Sequence, residues 1–467
     1  MKPTDQADLQ TYRLIVLRRD GSEILLTSGG SGWSLPNVQI SLRKRIAQQL
    51  VTELNREWGL QTYCLFLPSL ITPDRNAQLG NYAVLESIKH SDETPKGTCW
   101  IHSKTSVCQL TQSTEDNDAI KESLCELASY ANQSKAGPFG RPGWIRELFS
   151  WAEERLGPLG LRVSGNFQQL NGSPTFSLIR LETNGPGVWF KATGEPNRHE
   201  LPITVALTRL FPKYLPAILG VHPSWNGWLS EEVSDTTLDQ ITEFCDWERV
   251  ANDLAKLQIA SIGNDTELLT AGCKDLRLPN LVDLIVPFFS RIAEFMAAQQ
   301  KQTPPPLTDS QLLFLANRLT ESCSLLHELR LPNTLGHIDF NPGNILLSPT
   351  RSVFLDWAEG CVTNPLVTFE YLLEHLRRGG IRDAAATERI NAAYLQAWHI
   401  LCSSRDLARG MTVSPLVAVF VYAVAGKTWR SPDSVHNSKR SAYLRSLTRR
   451  MYREATRAVE GSEQCVA

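Results

Sequence analysis

The chain has 467 residues, 42% hydrophobic and 21% charged, with a formal net charge of −2. That balance is ordinary for globular protein, and at about 100–200 residues per domain the length suggests roughly two to four domains. Nothing in the overall charge points to nucleic acid or a membrane surface as a partner. The ten cysteines form no C-x-x-C pair and are scattered singly, as at Cys64, Cys245 and Cys402. They read as reduced core cysteines, in keeping with a cytoplasmic protein. The N-terminal MKPTDQADLQTYR has no apolar leader. The longest apolar run, LVAVFVYAVAG at 416–426, is far shorter than the ~20 residues that span a bilayer and reads as a buried helix.

In chain order, YRLIVLRR (12–19) and SEILLTS (22–28) are strand-like and joined by Asp20-Gly21, a strong hairpin signal. A helix is expected over RKRIAQQLVTELNREWG, where Ile46, Leu50 and Leu54 mark a core face by their spacing. TYCLFLP (62–68) and NYAVLESI (81–88) add strands. NQSKAGPFGRPG (132–143) is rich in Gly, Pro and Ser and reads as a linker into an amphipathic helix, WIRELFSWAEERLG. FQQLNGSPTFSLIRLE predicts a second hairpin turning at Asn171-Gly172, followed by a strand at GVWFKAT (187–193), a helix from about 200 to 211, and strands in AILGVHP and GWLSEEV.

From 238 the chain is mainly helical, beginning with LDQITEFCDWERVANDLAKLQ. Thr308 and Gln311 form a plausible capping box for a helix over 309–330, after the Pro304–Pro306 stop. Further helices are expected near 383–402, 415–425 and 438–460. The pattern divides the chain into 1–132, a linker 133–143, a strand-rich part 144–233 and a helical part 234–467, an α+β architecture. The last helix carries seven Lys and Arg between 439 and 457 opposite Leu444, Leu447 and Met451. It reads as an ordinary solvated amphipathic helix.

One stretch breaks the helical character, LGHIDFNPGNILLSPTRSVFLDWAEG at 335–360. It sets Asp339, Asn344 and Asp356 between apolar runs, and burying carboxylates without partners is costly. A tight hairpin would gather Asn344 and Asp356. Carboxylate plus carboxamide oxygen is a ligand set for a hard cation such as magnesium. Asp339 would be left to accept a proton from an attacking hydroxyl, which with metal neutralisation and positioning is most of what phosphoryl transfer requires. Lys191, inside an apolar strand, needs a partner, and Glu200 lies nine residues on, early in the next helix. A cleft between a strand-rich and a helical lobe is the natural place for such a site. His337 is expected to be structural within its loop. Glu359 is expected at the surface rather than on a metal.

H-I-D-x-x-x-x-N followed by L-D-W resembles the core of the aminoglycoside phosphotransferase family, with its choline kinase-like and fructosamine kinase-like members, over about 140–467. The resemblance implies a two-lobed protein kinase-like fold, with 144–233 as N-lobe and 234–467 as C-lobe. It implies ATP and Mg2+ as cofactors and transfer of the γ-phosphoryl to a hydroxyl of a small molecule. Carried over residue by residue, Asp339 matches the catalytic base, Asn344 and Asp356 the magnesium ligands, Lys191 the lysine on the ATP phosphates and Glu200 its helix partner. Trp228 to Val233, including Glu231 and Val233, match the hinge that holds adenine, and Ser173 with Thr175 would contact phosphate from the hairpin. Ile338 departs from the glycine often found after the motif histidine. Acceptor contacts are expected between 238 and 330 and near 370–400.

WSLPNVQI (33–40) and TELNREWGL (52–60) resemble the Nudix hydrolase family in a degenerate form. Glu53, Glu57, Gly59 and Leu60 match its signature, while Val38, Lys44, Thr52 and Arg56 replace its first glycine, first glutamate, arginine and a further glutamate. Arg56 would pair with Glu53 or Glu57 rather than admit a metal, so 1–132 is expected to be Nudix-like in fold without hydrolysis. The other function classes this sequence leaves are a nucleotide-binding sensor or scaffold without turnover, and a Nudix-type diphosphate hydrolase.

Overall fold

The computed structural model describes residues 9–29, 32–68, 80–88, 94–103, 110–134, 136–379 and 383–464. Residues 1–8, read above for a leader, lie outside the described residues. The chain forms two compact units, Met1–Leu201 with Ala217–Glu232, and Pro202–Pro216 with Val233–Ala467. Sheets and twelve α-helices among the described residues make it α+β, as expected.

The first unit opens with β1 (Leu9–Arg18), β2 (Glu23–Gly29), β3 (Gly32–Ser34), β4 (Asn37–Ser41), α1 (Ile46–Trp58), β5 (Thr62–Phe66), β6 (Asn81–Ser87), β7 (Thr98–His102) and α2 (Thr114–Ala131). The strands form a mixed sheet in the order β3-β2-β1-β6-β5, with β4 also on β1 and β7 on β2. The β1–β2 turn falls where the sequence placed it, with Asp20 and Gly21 at φ of 59° and 85°. Alternation along β1 decides the two faces. Leu14 and Val16 pack with Leu50 and Leu54 of α1, while Ile15 and Leu17 enter a second core with Ile120 and Leu127 of α2.

That second core continues through α3 (Trp144–Leu156) into another sheet. It is built from β8 (Val163–Ser173), β9 (Phe176–Thr183) and β10 (Val188–Ala192), then α4 (Glu200–Leu210), then β11 (Ile218–Val221) and β12 (Gly227–Glu231). Its order is β11-β12-β10-β9-β8, antiparallel throughout. Within 133–143, Phe139 is buried and its ring lies 4.9 Å from that of Trp144. Glu86 on β6 is also fully buried; it accepts the Gly143 N–H at 2.7 Å where α3 begins, and the Tyr63 hydroxyl. Burial raises its pKa, against the lowering effect of those two donors.

The β8–β9 hairpin forms, but it turns at Pro174-Thr175, with Ser173 paired to Phe176. Asn171-Gly172 instead lies inside β8, beside a register shift between Gln169 and Asn171. There the buried Gln169 amide accepts from the Cys64 N–H at 2.7 Å and donates to its carbonyl at 3.0 Å, tying the two sheets together. A Cβ on Gly172 would sit 2.4 Å from Gln169 Nε2 and 3.1 Å from the Cys64 oxygen. The glycine thus serves a bulge and a close approach rather than a turn.

The second unit adds α5 (Phe244–Ala260), α6 (Asp265–Ala271), β13 (Lys274–Asp275), α7 (Leu278–Ala297), α8 (Asp309–Glu328), β14 (Thr334–His337), β15 (Ile345–Leu347) and β16 (Ser352–Phe354). It ends with β17 (Gly360–Thr363), α9 (Pro365–Arg378), α10 (Ala384–Trp398), α11 (Ser404–Ala425) and α12 (Ser438–Gln464). Two small sheets, β13-β17-β14 and β15-β16, are set among the helices. The capping box of α8 is present, with Gln311 N–H on Thr308 Oγ1 at 3.3 Å and Thr308 N–H on Gln311 Oε1 at 2.9 Å. Thr308→Ala is expected to lower the stability of this unit by about 1 kcal/mol, read from urea denaturation.

Two expectations change. The helix expected from 415 begins at Ser404 and carries Pro415 inside it. Its length and apolarity would suffice to cross a membrane, yet 67% of its most apolar window is buried in the fold, which marks a core helix. The cysteines are unpaired thiols among the described residues, with Cys64, Cys273, Cys323 and Cys361 buried. Cys125 and Cys245 are exposed rather than core residues, on the outer faces of α2 and α5.

Candidate functional site

The stretch 335–360 folds as two strand pairs that hold a loop between them. β14 ends at His337, β15 and β16 pair Ile345 with Phe354 and Leu347 with Ser352, and β17 returns antiparallel to β14. Gly336 is required for this packing, since a Cβ there would lie 2.6 Å from Thr363 Cγ2 and 2.9 Å from Thr368 Oγ1. His337 is buried, and its Nε2 lies 3.0 Å from the Leu355 carbonyl. A carbonyl only accepts, so this nitrogen carries the proton. Burial pushes the ring's pKa down, which keeps it neutral. The imidazole is a cross-tie between two segments of the loop, the structural role expected of it.

The hairpin gathers the two anticipated oxygen donors. Leu355 N–H donates to the Asn344 carbonyl at 2.9 Å, extending the β15–β16 ladder and placing Asp356 one residue beyond it. Asn344 Nδ2 donates to the Asp339 main-chain oxygen at 3.2 Å, which leaves Oδ1 as the amide's remaining polar atom. Asp356 takes φ 64° and ψ 55°, a left-handed conformation that costs an L-residue roughly 1–2 kcal/mol. The costly burial of carboxylates does not arise, because the apolar runs are buried while Asp339 and Asp356 are exposed. A short polar loop held by core strands puts both carboxyl groups in the open.

Glu359 pairs with Lys274 of β13. Its main-chain oxygen accepts the Ile338 N–H at 3.0 Å, so it braces the loop.

Asp339 lies on the wall of a cavity of about 740 Å³. The cavity draws on α9 from Glu370 to Arg378, on α11 through Pro415, Ala418 and Tyr422, and on α12 through Ser446, Arg450 and Arg453. The expected range near 370–400 therefore contributes, whereas nothing from 238–330 lines it. α12 is the amphipathic helix expected, with Leu444, Leu447 and Met451 buried and Lys439, Arg440, Arg453 and Arg457 exposed. Part of its basic side, through Arg450, Arg453 and Arg457, also lines the cavity. Ser446, Arg450, Arg453 and Arg457 follow at helical spacing and share one face, a signal present in the sequence.

In the first unit, Lys191 and Glu200 form an ion pair, with Glu200 buried and Lys191 5.9 Å from the centre of the Trp228 ring. β10 holds Lys191 between Leu178 and Trp228, and Glu200 opens α4. Ser173 accepts the Phe176 N–H at 3.1 Å and closes the hairpin turn. Glu231 ends β12, donating its N–H to the Ala217 carbonyl at 3.0 Å and accepting the Ala217 N–H through Oε1 at 3.1 Å. Glu232 ion-pairs with Arg180, and the chain passes into the second unit at Val233, which is half-buried.

On α1, Glu53 accepts from Arg56 Nε at 2.9 Å, the pairing that the sequence suggested, and Glu57 is exposed. Among the described residues no three His, Cys, Asp or Glu side chains are grouped to hold a metal ion.

Residues 247–409 match the model of the phosphotransferase enzyme family. No curated protein matches the chain. Among solved structures, the chain is similar to a macrolide 2′-phosphotransferase from Brachybacterium faecium, at 12% identity over 66% of this chain and 98% of that one, with a TM-score of 0.44. It is similar to an ethanolamine kinase from Plasmodium vivax at 16% identity over 65% and 88%, TM-score 0.44. A spectinomycin phosphotransferase solved with ADP and spectinomycin is 12% identical over 67% and 98%, TM-score 0.39.

Proposed function

We propose, from the premise that this chain carries a phosphotransferase enzyme family segment at residues 247–409 and is a small-molecule kinase, that it moves the γ-phosphoryl of ATP to an acceptor hydroxyl with Asp339 as base. The observation that carries this reading is the Asp339 carboxyl, open on the wall of a cavity of about 740 Å³ while its main chain is fixed by Asn341 and Asn344. An acceptor hydroxyl there gives its proton to Asp339 as its oxygen bonds to the γ-phosphorus. The bond from that phosphorus to the β–γ bridging oxygen breaks, and ADP leaves.

Asn344 and Asp356 suit a hard cation, one amide oxygen and one exposed carboxylate on a rigid hairpin end. They would hold Mg2+, which neutralises charge on the phosphates when bound. Lys191, ion-paired with Glu200, would serve as the cation for the triphosphate. Residues 1–132 are read as a degenerate Nudix-like part without hydrolysis, in line with the Glu53–Arg56 pair.

The test is ADP release from ATP that depends on an added alcohol. Asp356→Asn is expected to raise the Mg2+ concentration needed for half-maximal turnover by roughly tenfold or more. Its urea midpoint should not fall, since the carboxyl is exposed and asparagine accepts positive φ. An unchanged Mg2+ requirement would remove Asp356 from the metal site.

A further inference from the structure

The cavity beside Asp339 holds more positive than negative charge. Five arginines line it, Arg377 and Arg378 on α9 and Arg450, Arg453 and Arg457 on α12, against Glu370, Glu374 and Glu454. With Asp339 counted, the arginines still outnumber the carboxylates. Glu370 is engaged by Arg377, and Glu454 lies 3.3 Å from Arg457. Glu374 alone serves three guanidinium groups, at 3.1 Å from Arg377, 2.7 Å from Arg378 and 2.9 Å from Arg450. Two carboxylate oxygens cannot satisfy the donors of three arginines. Arg453 has neither ion pair nor hydrogen bond to any described residue. Burial pushes the Arg450 guanidinium below its ordinary pKa, opposed by Glu374 and reinforced by Arg378. Arg450 is half-buried, while Arg377, Arg378, Arg453 and Arg457 keep exposed guanidinium groups. A cluster of guanidinium groups around a cavity binds planar or tetrahedral oxyanions and repels ammonium groups.

Resting on the kinase reading above, we infer that the phosphoryl acceptor is an anionic hydroxy compound, its carboxylate or phosphate held by Arg450 and Arg453 while its hydroxyl meets Asp339. The acceptor oxygen gains the γ-phosphoryl, its proton passes to Asp339, and ADP is the leaving group. An amino sugar or a quaternary amino alcohol would bring its charge in among the arginines.

The experiment measures ADP release with four acceptors of similar size: D-glucuronate, D-glucose 6-phosphate, D-glucose and D-glucosamine. At least one of the two anions is expected to exceed glucose and glucosamine at least tenfold in kcat/KM, and the two anionic arms separate carboxylate from phosphate. Arg450→Gln and Arg453→Gln should each raise the KM of that anion about tenfold and bring its advantage over glucose toward one, with Arg450→Lys restoring part of it. Arg453 is exposed and has no ion pair or hydrogen bond among the described residues, so its variant does not depend on surviving a lost ion pair.

A preference for glucosamine or glucose overturns the inference. If none of the four is turned over, the anions must still raise Tm in the presence of Mg·ADP for the wild type and not for the double arginine variant, and absence of that difference overturns it too. Slow hydrolysis of ATP to ADP without acceptor, abolished by Asp339→Ala, tests the kinase reading separately. Where that hydrolysis is present and the cation wins, only the charge assignment falls; where it is absent from the wild type, both fall.

Discussion

Asp339→Ala is expected to lower kcat by about 10²–10⁴-fold, the usual value of a positioned base, and so to add roughly 3–5 kcal/mol to the barrier. ATP affinity should stay within about twofold. The two properties separate because of how the loop is held. The contacts that fix it use the Asp339 main-chain oxygen, which accepts from Asn341 N–H and Asn344 Nδ2, and alanine keeps that oxygen. The carboxyl itself is exposed at the cavity wall, so its loss should change stability by no more than about 0.5 kcal/mol. Single-turnover kinetics together with nucleotide titration would check this. Wild-type turnover in the variant would reject Asp339 as the base.

Trp144→Ala is expected to cost about 3–5 kcal/mol, much of the roughly 5–15 kcal/mol that holds a domain folded. Trp144 is fully buried at the head of α3. Its ring meets Tyr63 edge-on at 5.5 Å, Phe139 at 4.9 Å and Trp225 at 6.4 Å between centres. Tyr63 lies on β5 of one sheet, and Trp225 packs in the same core as Phe190 of the other. The cavity would therefore open between the sheets. Hydrogen exchange should speed up in β5, β6 and β10 together. A loss below about 1 kcal/mol, or deprotection confined to one sheet, would show that the aromatic cluster does not join them.

The parts of this structure that were legible in the sequence are those whose physics is local. The apolar run of β1, Asp20-Gly21, the spacing of Ile46, Leu50 and Leu54, and the Thr308–Gln311 box each act within a few residues. So does the hairpin that brings Asn344 toward Asp356, and the strand-to-helix step that joins Lys191 to Glu200. Asn171-Gly172 misled because its glycine answers to Cys64 and Gln169 in three dimensions, while the turn fell to Pro174-Thr175. The helix expected from 415 in fact starts at Ser404, and apolar packing on both sides carries α11 through Pro415.

The basic wall of the cavity beside Asp339 was missed for a related reason. α12 displays its arginines at regular spacing, yet nothing in the sequence tells which tertiary neighbour they face. Only the fold sets Arg450 beside Glu374, 76 positions earlier in the chain.

The left-handed backbone at Asp356 has a practical consequence for anyone seeking a hardier version of this enzyme. Glycine at that position would relax the φ of 64° at little steric cost. A mutant library sorted purely by heat tolerance would thus enrich a replacement that discards the proposed magnesium carboxylate. Such a screen should score catalysis in the same round, or its survivors will be sturdy and inert.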